Sequence, residues 1–298
     1  MIDSETINYV QKDRKCITRI ICFSCNNNCV SCVTNYDKSD KKMHFSLDDV
    51  KKIIDSFDKD TNIIDYNGGE PTLRKDLLEI IRYTRERFPD AYIQLLTNGR
   101  MFYYGNYVEK FRKCGIGKIR FMITIYGHNE KVHDAITRAP GSFRETVAGI
   151  RNLIGSGFDV EVRIIITKMN YRHFPQIARF VCSIPGIRRV VFVNAKIVGE
   201  AYRNRDSVLV GYSDLREYAE KAGDYLLRMR DKMEIRYFHF PFCILGSKYW
   251  ELVEGVTVPY TDITFGPECE KCSKRTTCPG IWASYADLRG FGEFRPIS

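Results

Sequence analysis

Short apolar runs alternate with longer amphipathic segments along the first two thirds of the chain. The short runs are rich in β-branched and aromatic residues and several end near Gly, Asn or Ser, which predicts strands. They cover residues 17–23, 62–66, 92–96, 118–125, 160–167 and 189–193. The amphipathic segments predict helices over residues 47–57, 72–88, 106–114, 142–156, 170–182 and 214–232. Ser46 and Ser213 are the predicted N-caps of the first and last helix, and Asp49 completes a capping box with Ser46.

This alternation predicts βαβ units and a parallel sheet. Six units are too few for a complete eight-fold barrel, so an α/β fold with an incomplete (βα)6 TIM-like barrel is expected, with ligands at the carboxyl ends of the strands. From about residue 237 the composition changes, and aromatic residues, Pro, Gly and Cys become frequent. We therefore expect a partial-barrel domain over residues 1–235 and a small cysteine-rich subdomain over residues 236–298. Bound metal is expected to stabilise this subdomain.

Composition narrows the class of protein. The 298 residues are 44% hydrophobic and 28% charged, as in ordinary globular proteins, and no apolar run is long enough to predict a membrane span. The first 15 residues have no signal-peptide core, so a cytoplasmic protein is expected. Eleven cysteines in a reducing compartment suggest metal binding. The net charge of +9 is spread along the chain, which suits an anionic substrate or acidic peptide and is weak support for nucleic acid.

The first cysteine cluster follows the first predicted strand with the spacing C-x3-C-x2-C, at Cys25, Cys29 and Cys32. Three thiolates on one loop hold three corners of an iron–sulfur cube and leave the fourth iron open to bind a molecule. A zinc site is the alternative, because Cys29 and Cys32 form a C-x2-C pair that would match the distant pair Cys269 and Cys272.

Further motifs end the following predicted strands. The second strand ends in Asn67-Gly-Gly-Glu-Pro-Thr72, the third in Leu96-Thr-Asn-Gly99 and the fourth in Thr124-Ile-Tyr-Gly127. In the first of these motifs, the two glycines are expected to let the backbone approach a ligand. The glutamate supplies a carboxylate acceptor, and the proline fixes the exit of the chain.

Together with the cysteine loop, these motifs resemble the radical S-adenosylmethionine (radical SAM) enzymes, over about residues 19–194. The resemblance implies that Cys25, Cys29 and Cys32 hold a [4Fe–4S] cluster that binds SAM. One electron, from a reduced flavodoxin or ferredoxin-type donor, then cleaves SAM to a 5′-deoxyadenosyl radical, which abstracts hydrogen from the substrate. The residues expected to bind the cofactor are Gly68, Gly69, Glu70, Pro71, Asn98, Thr124, Tyr126 and Arg163.

One position departs from the family pattern. The family usually has an aromatic residue just before the third cysteine, where it packs on the adenine, whereas this chain has Ser31. Phe23 or Tyr126 is the expected substitute. Arg163 lies on a predicted strand, where it would hold the carboxylate of SAM or form a structural ion pair.

The tail contains a second cluster, Cys269-x2-Cys272-x5-Cys278, with Cys243 upstream. It resembles the SPASM and Twitch extensions of radical SAM enzymes, which carry auxiliary iron–sulfur clusters. Trp282 occupies the position of a further SPASM cysteine, so the resemblance implies one second [4Fe–4S] cluster in the Twitch manner. Structural zinc, a purely structural iron–sulfur staple and an open iron without Cys243 remain alternatives.

These features predict a radical SAM oxidoreductase or maturase that oxidatively modifies a peptide or protein side chain. Because the first cluster cysteine is already at position 25, no room is expected for an N-terminal leader-binding domain. Radical dehydrogenation or rearrangement of a small molecule, in natural-product, nucleoside or cofactor biosynthesis, is therefore the alternative. A zinc-dependent nucleic-acid-binding module is the non-enzyme alternative, and it predicts a colourless protein whose nucleic-acid binding is salt-sensitive.

Overall fold

The computed structural model describes residues 6–11, 14–34 and 45–298. Eight strands form one sheet in the order of their occurrence along the chain, and two further strands form a small antiparallel pair. The strands are β1 (Thr6–Gln11), β2 (Arg14–Cys22), β3 (Ile63–Gly68), β4 (Tyr92–Thr97), β5 (Ile119–Ile125), β6 (Asp159–Ile166), β7 (Arg189–Asn194), β8 (Glu234–Phe238), β9 (Ile263–Thr264) and β10 (Ile281–Trp282).

The large sheet is mostly parallel. β1 and β2 form an antiparallel hairpin, whereas β2–β3, β3–β4, β4–β5 and β7–β8 pair in parallel. Parallel neighbours need crossover connections, which helices supply here, so the predicted α/β class with βα repeats is confirmed. The six predicted strands are β2–β7. β1 and β8 were not predicted; in β1, Ile7 and Asn8 are both exposed, so neither face of the strand is buried at these positions.

Helices follow most of the strands, and the predicted ones are present with shifted ends. They are α1 (Leu47–Asp55), α2 (Leu77–Arg87), α3 (Gly105–Lys113), α4 (Glu130–Thr137), α5 (Ser142–Gly155), α6 (Phe174–Cys182), α7 (Glu200–Arg203), α8 (Arg205–Val208), α9 (Tyr212–Leu226) and α10 (Ala283–Arg289). Short 3-10 turns lie at Pro71–Leu73, Arg100–Tyr103, Tyr171–His173, Phe242–Ile244, Ser247–Leu252, Tyr260–Asp262 and Pro267–Lys271.

Of the two predicted N-caps, one is confirmed and the other is wrong. Ser46 caps α1 as predicted, because its hydroxyl accepts from the Asp49 N–H and the Asp49 carboxylate accepts from the Ser46 N–H, both at 3.1 Å. Ser213 as the cap of α9 was wrong. The helix already begins at Tyr212 after Gly211, and the Ser213 N–H donates to the Glu293 carboxylate at 3.0 Å.

The chain divides into two compact units, each with its own core. The first contains the described residues of 1–28, 36–124 and 141–161, and the second those of 29–35, 125–140 and 162–298. Phe102, Phe111 and Phe121 pack edge-on in the first unit. Phe174 and Tyr237 pack in the second, which also includes the cysteine-rich tail. The domain boundary at residues 235/236 stays a prediction. No helix within the described ranges is long and apolar enough to span a bilayer.

Candidate functional site

In the first unit, the end of β3 packs directly against the start of the cysteine loop. A Cβ atom on Gly68 would lie 2.1 Å from the carbonyl oxygen of Cys22, and one on Gly69 would lie 2.2 Å from that of Ser24. The Gly69 N–H donates to the Cys22 carbonyl at 2.9 Å, and the Glu70 N–H donates to the Ser24 carbonyl at 2.8 Å. The close approach predicted for these glycines is thus made to the cysteine loop itself, and their contact with a ligand stays a prediction.

The Glu70 carboxylate joins the ends of β3 and β4. It is fully buried, and its Oε1 accepts from the Thr72 N–H at 3.1 Å, the Thr72 hydroxyl at 2.5 Å and the Thr97 hydroxyl at 2.6 Å. Its Oε2 accepts from the Asn98 N–H at 2.7 Å. Burial raises the pKa of Glu70, while these hydrogen bonds lower it less strongly. The residue expected to be a ligand acceptor therefore also organises its own surroundings.

Asn98 connects this network to the first cluster cysteine. Its side-chain Nδ2 donates to Asn26 Oδ1 at 2.6 Å and lies 3.9 Å from Cys25 Sγ. The Asn27 N–H also donates to Cys25 Sγ, at 3.4 Å. Cys25 is itself exposed. The predicted residues Glu70, Asn98 and Cys25 are therefore linked through consecutive hydrogen bonds.

Arg100 and Glu145 are site residues that the sequence analysis missed. The Arg100 guanidinium donates to the Asn26 carbonyl, and to Asn27 Oδ1 at 2.8 Å. It also forms an ion pair with Glu145 at 2.6 Å. Arg100 therefore anchors the stretch of loop next to Cys25. Its only sequence signal is its position immediately after the Thr-Asn-Gly motif.

In the second unit, the loop from Cys29 to Cys32 forms one tight turn. The Cys32 N–H donates to the Cys29 carbonyl at 3.3 Å. The Val30 N–H donates to the Ile136 carbonyl, and the Cys32 carbonyl accepts from the Ala201 N–H, both at 2.9 Å. Both cysteines are half-buried. Main-chain bonds on either side thus hold these two thiols in place.

Tyr126 lies beside this turn, at the end of β5. The Ser31 hydroxyl donates to the Tyr126 hydroxyl at 3.2 Å, and Cys29 packs against the buried core that contains Tyr126. The Tyr126 main chain donates to His133 Nδ1 at 3.2 Å and accepts from Asn170 Nδ2 at 2.8 Å. Burial, followed by Cys29, raises the pKa of Tyr126 well above its ordinary value. The departure at Ser31 is therefore accompanied by an aromatic residue that directly follows β5, and packing of that ring on adenine stays a prediction.

The other residues expected to contact the cofactor are Thr124, Pro71, Phe23 and Arg163. Thr124 is a half-buried residue of β5, and Pro71 is buried at the start of a 3-10 turn. Phe23 packs against Phe45, with ring centroids 5.9 Å apart. Arg163 lies on β6, with its guanidinium 5.9 Å from the centroid of Phe238. The roles expected of these residues at SAM stay predictions.

The four tail cysteines line one pocket of the second unit. The pocket is lined by Pro241, Phe242, Cys243, Phe265, Cys269, Cys272, Lys274, Arg275, Cys278, Gly280, Ile281, Phe294, Arg295, Pro296 and Ile297. The Cys272 N–H donates to the Cys269 carbonyl at 3.2 Å, which repeats the turn between Cys29 and Cys32. Burial raises the pKa of Cys243 to about 11 and also raises that of Cys278.

The backbone interacts with three of these cysteines. The Ile297 N–H donates to Cys272 Sγ at 3.4 Å. The backbone of Arg295 lowers the pKa of Cys243, and the backbone at residues 242 and 280 lowers that of Cys278, in each case against the larger effect of burial. Cysteine thiols with N–H donors to sulfur are the surroundings that tune iron–sulfur clusters, so this donor set fits such a cluster.

The cysteine loop of the N-terminal half has the same kind of donors, with N–H groups of Asn27 and Asn98 directed at Cys25. All eleven cysteines are free of disulfides. Within residues 6–11, 14–34 and 45–298, no group of three or more His, Cys, Asp or Glu side chains is arranged to hold a single metal ion, so the support for a tail cluster is the shared pocket and the N–H donor to Cys272.

Trp282, at the position of the further SPASM cysteine, is a core residue. Its indole stacks on His239 with ring centroids 3.6 Å apart and donates to the Asn194 carbonyl at 2.8 Å. Burial, followed by the charges of Lys196 and Arg163, lowers the pKa of His239 to about 3. This stack was not predicted, because a lone histidine and a lone tryptophan 43 residues apart give no sequence signal.

Comparison with known proteins was made once this geometry was in hand. The family model of the radical SAM superfamily matches residues 20–181, more than half of the chain. The chain is 34% identical over 149 residues to the AdoMet-dependent heme synthase of Methanosarcina barkeri, covering 49% of this chain and 41% of that protein. It is 28% identical over 166 residues to the mycofactocin maturase MftC of Mycolicibacterium smegmatis, covering 55% and 40%. The matched part is thus less than half the length of these curated relatives.

Among solved structures, the chain is similar to native anSMEcpe with bound AdoMet and Cp18Cys peptide. The TM-score is 0.62 at 12% identity, and the match covers 94% of this chain and 92% of that chain. At that identity the similarity concerns the fold.

Proposed function

This chain belongs to the radical SAM superfamily, and we propose that it is an enzyme that cleaves SAM at a [4Fe–4S] cluster held by Cys25, Cys29 and Cys32. The observation that carries the proposal is the hydrogen-bonded link between motif and loop. Glu70 bonds through its N–H to Ser24, and through its carboxylate to Asn98, whose side chain reaches Cys25. This link ties the glycine motif to the cysteine loop, as a shared cofactor site requires.

When bound, the cluster and SAM supply a 5′-deoxyadenosyl radical that abstracts a hydrogen atom from the substrate. The residues of the chain hold and orient the cofactors. Arg100 anchors the loop at Asn26 and Asn27, while Gly68 and Gly69 allow β3 to approach the loop within hydrogen-bond distance. These contacts hold the supporting residues in position before the cofactors bind, so that binding does not have to order them.

We propose that Cys243, Cys269, Cys272 and Cys278 hold a second [4Fe–4S] cluster with all four irons ligated. Support comes from the single pocket that the four thiols line and from the Ile297 N–H, which donates to Cys272 Sγ. The inclusion of Cys243 in that pocket favours full ligation over an open iron. Such a cluster can accept one electron, which is the property that a net oxidation of substrate requires.

A peptide or protein side chain is the proposed substrate. Two similarities support it: one relative is named a maturase, and one similar structure has a bound peptide. A small molecule is the second candidate, supported by the similarity to a heme synthase. Product analysis separates them, since the first predicts a mass change on a peptide and the second a modified metabolite. A reduced flavodoxin or ferredoxin-type protein is the proposed electron donor.

The proposal is tested by incubating the anaerobically reconstituted protein with SAM and dithionite and quantifying 5′-deoxyadenosine by mass spectrometry. Cys29→Ala is expected to abolish 5′-deoxyadenosine formation. Cys182→Ala, which removes a buried thiol outside both clusters, is the matched control and is expected to retain it. Absence of 5′-deoxyadenosine from cluster-loaded wild-type protein would overturn the proposal.

A further inference from the structure

A basic groove of about 490 Å³ lies on the surface of the second unit, along α6 and α9. Four cationic side chains line it, those of Arg172, Arg179, Lys221 and Arg228, together with a single carboxylate, that of Asp224. All four cations are exposed. None of these residues belongs to the cysteine loop or to the tail pocket, so neither proposed cluster accounts for this concentration of positive charge.

Three of these cations have no acidic partner in the described part of the chain. Arg172, Arg179 and Arg228 form no ion pair there. The Arg179 guanidinium lies 5.1 Å from the ring centroid of Tyr225, and Arg172 Nε donates to the Tyr171 hydroxyl at 3.0 Å. Aromatic side chains thus hold two of the guanidinium groups in place without neutralising them.

The acidic side chains next to the groove are already engaged. Glu217 is paired with Lys221 at 2.5 Å. The Asp224 carboxylate accepts from Lys248 and, at 2.9 Å, from the Tyr249 hydroxyl. The groove therefore retains an excess of positive charge, which attracts carboxylates from outside the chain.

The groove has the length of a short extended peptide. Tyr218, Lys221, Tyr225 and Arg228 recur every three or four residues, so they lie on one face of α9 and the turn that follows it. From Tyr218 to Arg228 this face is about 15 Å long at a rise of about 1.5 Å per residue. Alternate side chains of an extended chain point the same way and repeat at about 7 Å, so about three carboxylates at alternate positions match this length.

We propose that this groove binds an acidic, extended segment of the peptide or protein substrate, separate from the residue that is modified. The inference rests on the proposed function, because it takes the substrate to be a peptide. Guanidinium groups pair with carboxylates through two parallel hydrogen bonds, so the arginines favour Asp and Glu side chains. The half-buried rings of Tyr218 and Tyr225 supply apolar surface for the aliphatic parts of the segment.

The test is fluorescence anisotropy of the reconstituted protein with a fluorescein-labelled peptide of about ten residues, long enough to span the groove. Glu and Ser alternate in this probe, and Gln replaces Glu in a second one. The wild type is expected to bind the Glu peptide much more tightly than the Gln peptide, and less tightly as salt is added. The double variant Arg179→Gln, Arg228→Gln is expected to raise the Kd of the Glu peptide about tenfold.

The double variant Arg82→Gln, Arg151→Gln is the matched control. Arg82 on α2 and Arg151 on α5 are also exposed, and neither forms an ion pair with another described residue. This variant loses the same net charge, so its Kd for the Glu peptide is expected to equal that of the wild type. Equal weakening in both double variants would overturn the groove, because overall charge alone would then explain binding.

Two further outcomes would also overturn it. One is a wild type that binds the Glu and Gln peptides equally. The other is a single-stranded RNA oligonucleotide whose binding depends on Arg179 and Arg228 more strongly than that of the Glu peptide, since the groove would then serve nucleic acid. Failure of the proposed function has a separate signature: cluster-loaded wild type would form no 5′-deoxyadenosine, whereas the anisotropy results would be unchanged.

Discussion

At the scale of single residues, Gly69 shows how little room separates the glycine motif from the cysteine loop. A methyl group there would lie 2.2 Å from the Ser24 carbonyl oxygen and 2.6 Å from that of Phe23. Backbone atoms cannot rotate away as a side chain can, so the loop itself must move. The glycine is therefore required for the position of the loop that carries Cys25.

Replacing Gly69 with Ala is expected to lower the free energy of unfolding by more than about 2 kcal/mol, as overpacking against rigid atoms does. The iron content of the N-terminal site is expected to fall with it, and both can be measured by denaturant titration and iron analysis. Gly155→Ala is the control, because no atom lies within 4 Å of its Cβ position. That variant should be neutral, or more stable by up to about 1 kcal/mol. Equal iron content in both variants would contradict this role of Gly69.

His239 predicts a specific dependence of stability on pH. Its pKa is lowered to about 3 by burial and by two nearby cations, so the folded protein holds the imidazole neutral. Because the folded-state pKa lies below the ordinary value of about 6.5, its stabilisation is complete above about pH 6.5 and is lost as the pH falls towards 3. The loss approaches about 5 kcal/mol as an upper bound.

His239→Asn removes this titration, and Asn tolerates the positive φ of 61° at this position. The free energy of unfolding, measured in urea from pH 7 to pH 4, is expected to fall more steeply for the wild type than for the variant. Parallel curves would show that His239 does not titrate in this way.

At the scale of elements, the apolar pattern was sufficient for the repeating part of the fold. β2–β7 were all predicted, because buried β-branched runs occur between amphipathic segments. β1 and β8 were missed, since neither is a long apolar run, and α4 was missed because it lies within a short connection. Ser213 was wrong as a cap because a serine next to a helical pattern does not fix whether the helix begins one residue earlier.

In the candidate site, too, residues within a local motif were predicted, whereas contacts between residues far apart in the sequence were not. The cysteines, Glu70 and Asn98 were found because each lies in a short motif at a strand end. Arg100 bonds to Asn26 across 74 residues, and Ser31 to Tyr126 across 95 residues. Such contacts depend on how the chain folds, so no local motif predicts them. The partners of the motif residues therefore required the structure.

The C-terminal segment is an element with a predicted role at the tail cluster. The Ile297 N–H donates to Cys272 Sγ at 3.4 Å, and the backbone of Arg295 lowers the pKa of Cys243. Deleting residues 295–298 removes both backbone groups, so the tail cluster is expected to lose iron faster and to have a lower reduction potential. Iron release to a chelator and a redox titration followed by electron paramagnetic resonance measure these effects.

The double variant Arg295→Ala, Ile297→Ala is the matched control, because it keeps both backbone N–H groups while removing the side chains. It is expected to retain more of the cluster's stability and potential than the deletion does. If the two proteins behave alike, the side chains rather than the backbone donors are responsible.

At the scale of the whole molecule, the two proposed iron–sulfur clusters are supported by different observations. The superfamily match ends at residue 181, so it includes Cys25, Cys29 and Cys32 but not the four tail cysteines. The tail assignment depends on the pocket that Cys243, Cys269, Cys272 and Cys278 line and on the donors around it. The two assignments can therefore fail independently, and a test must count both sites.

The most direct measurement is the content of iron, sulfide and zinc per chain after anaerobic reconstitution. It is made on the wild type and on the variant with Cys25, Cys29 and Cys32 replaced by Ala. Iron and sulfide for two [4Fe–4S] clusters are expected in the wild type, and for one cluster in the variant. A variant without any cluster would contradict an independent tail site, and zinc in place of iron in the wild type would contradict the radical mechanism.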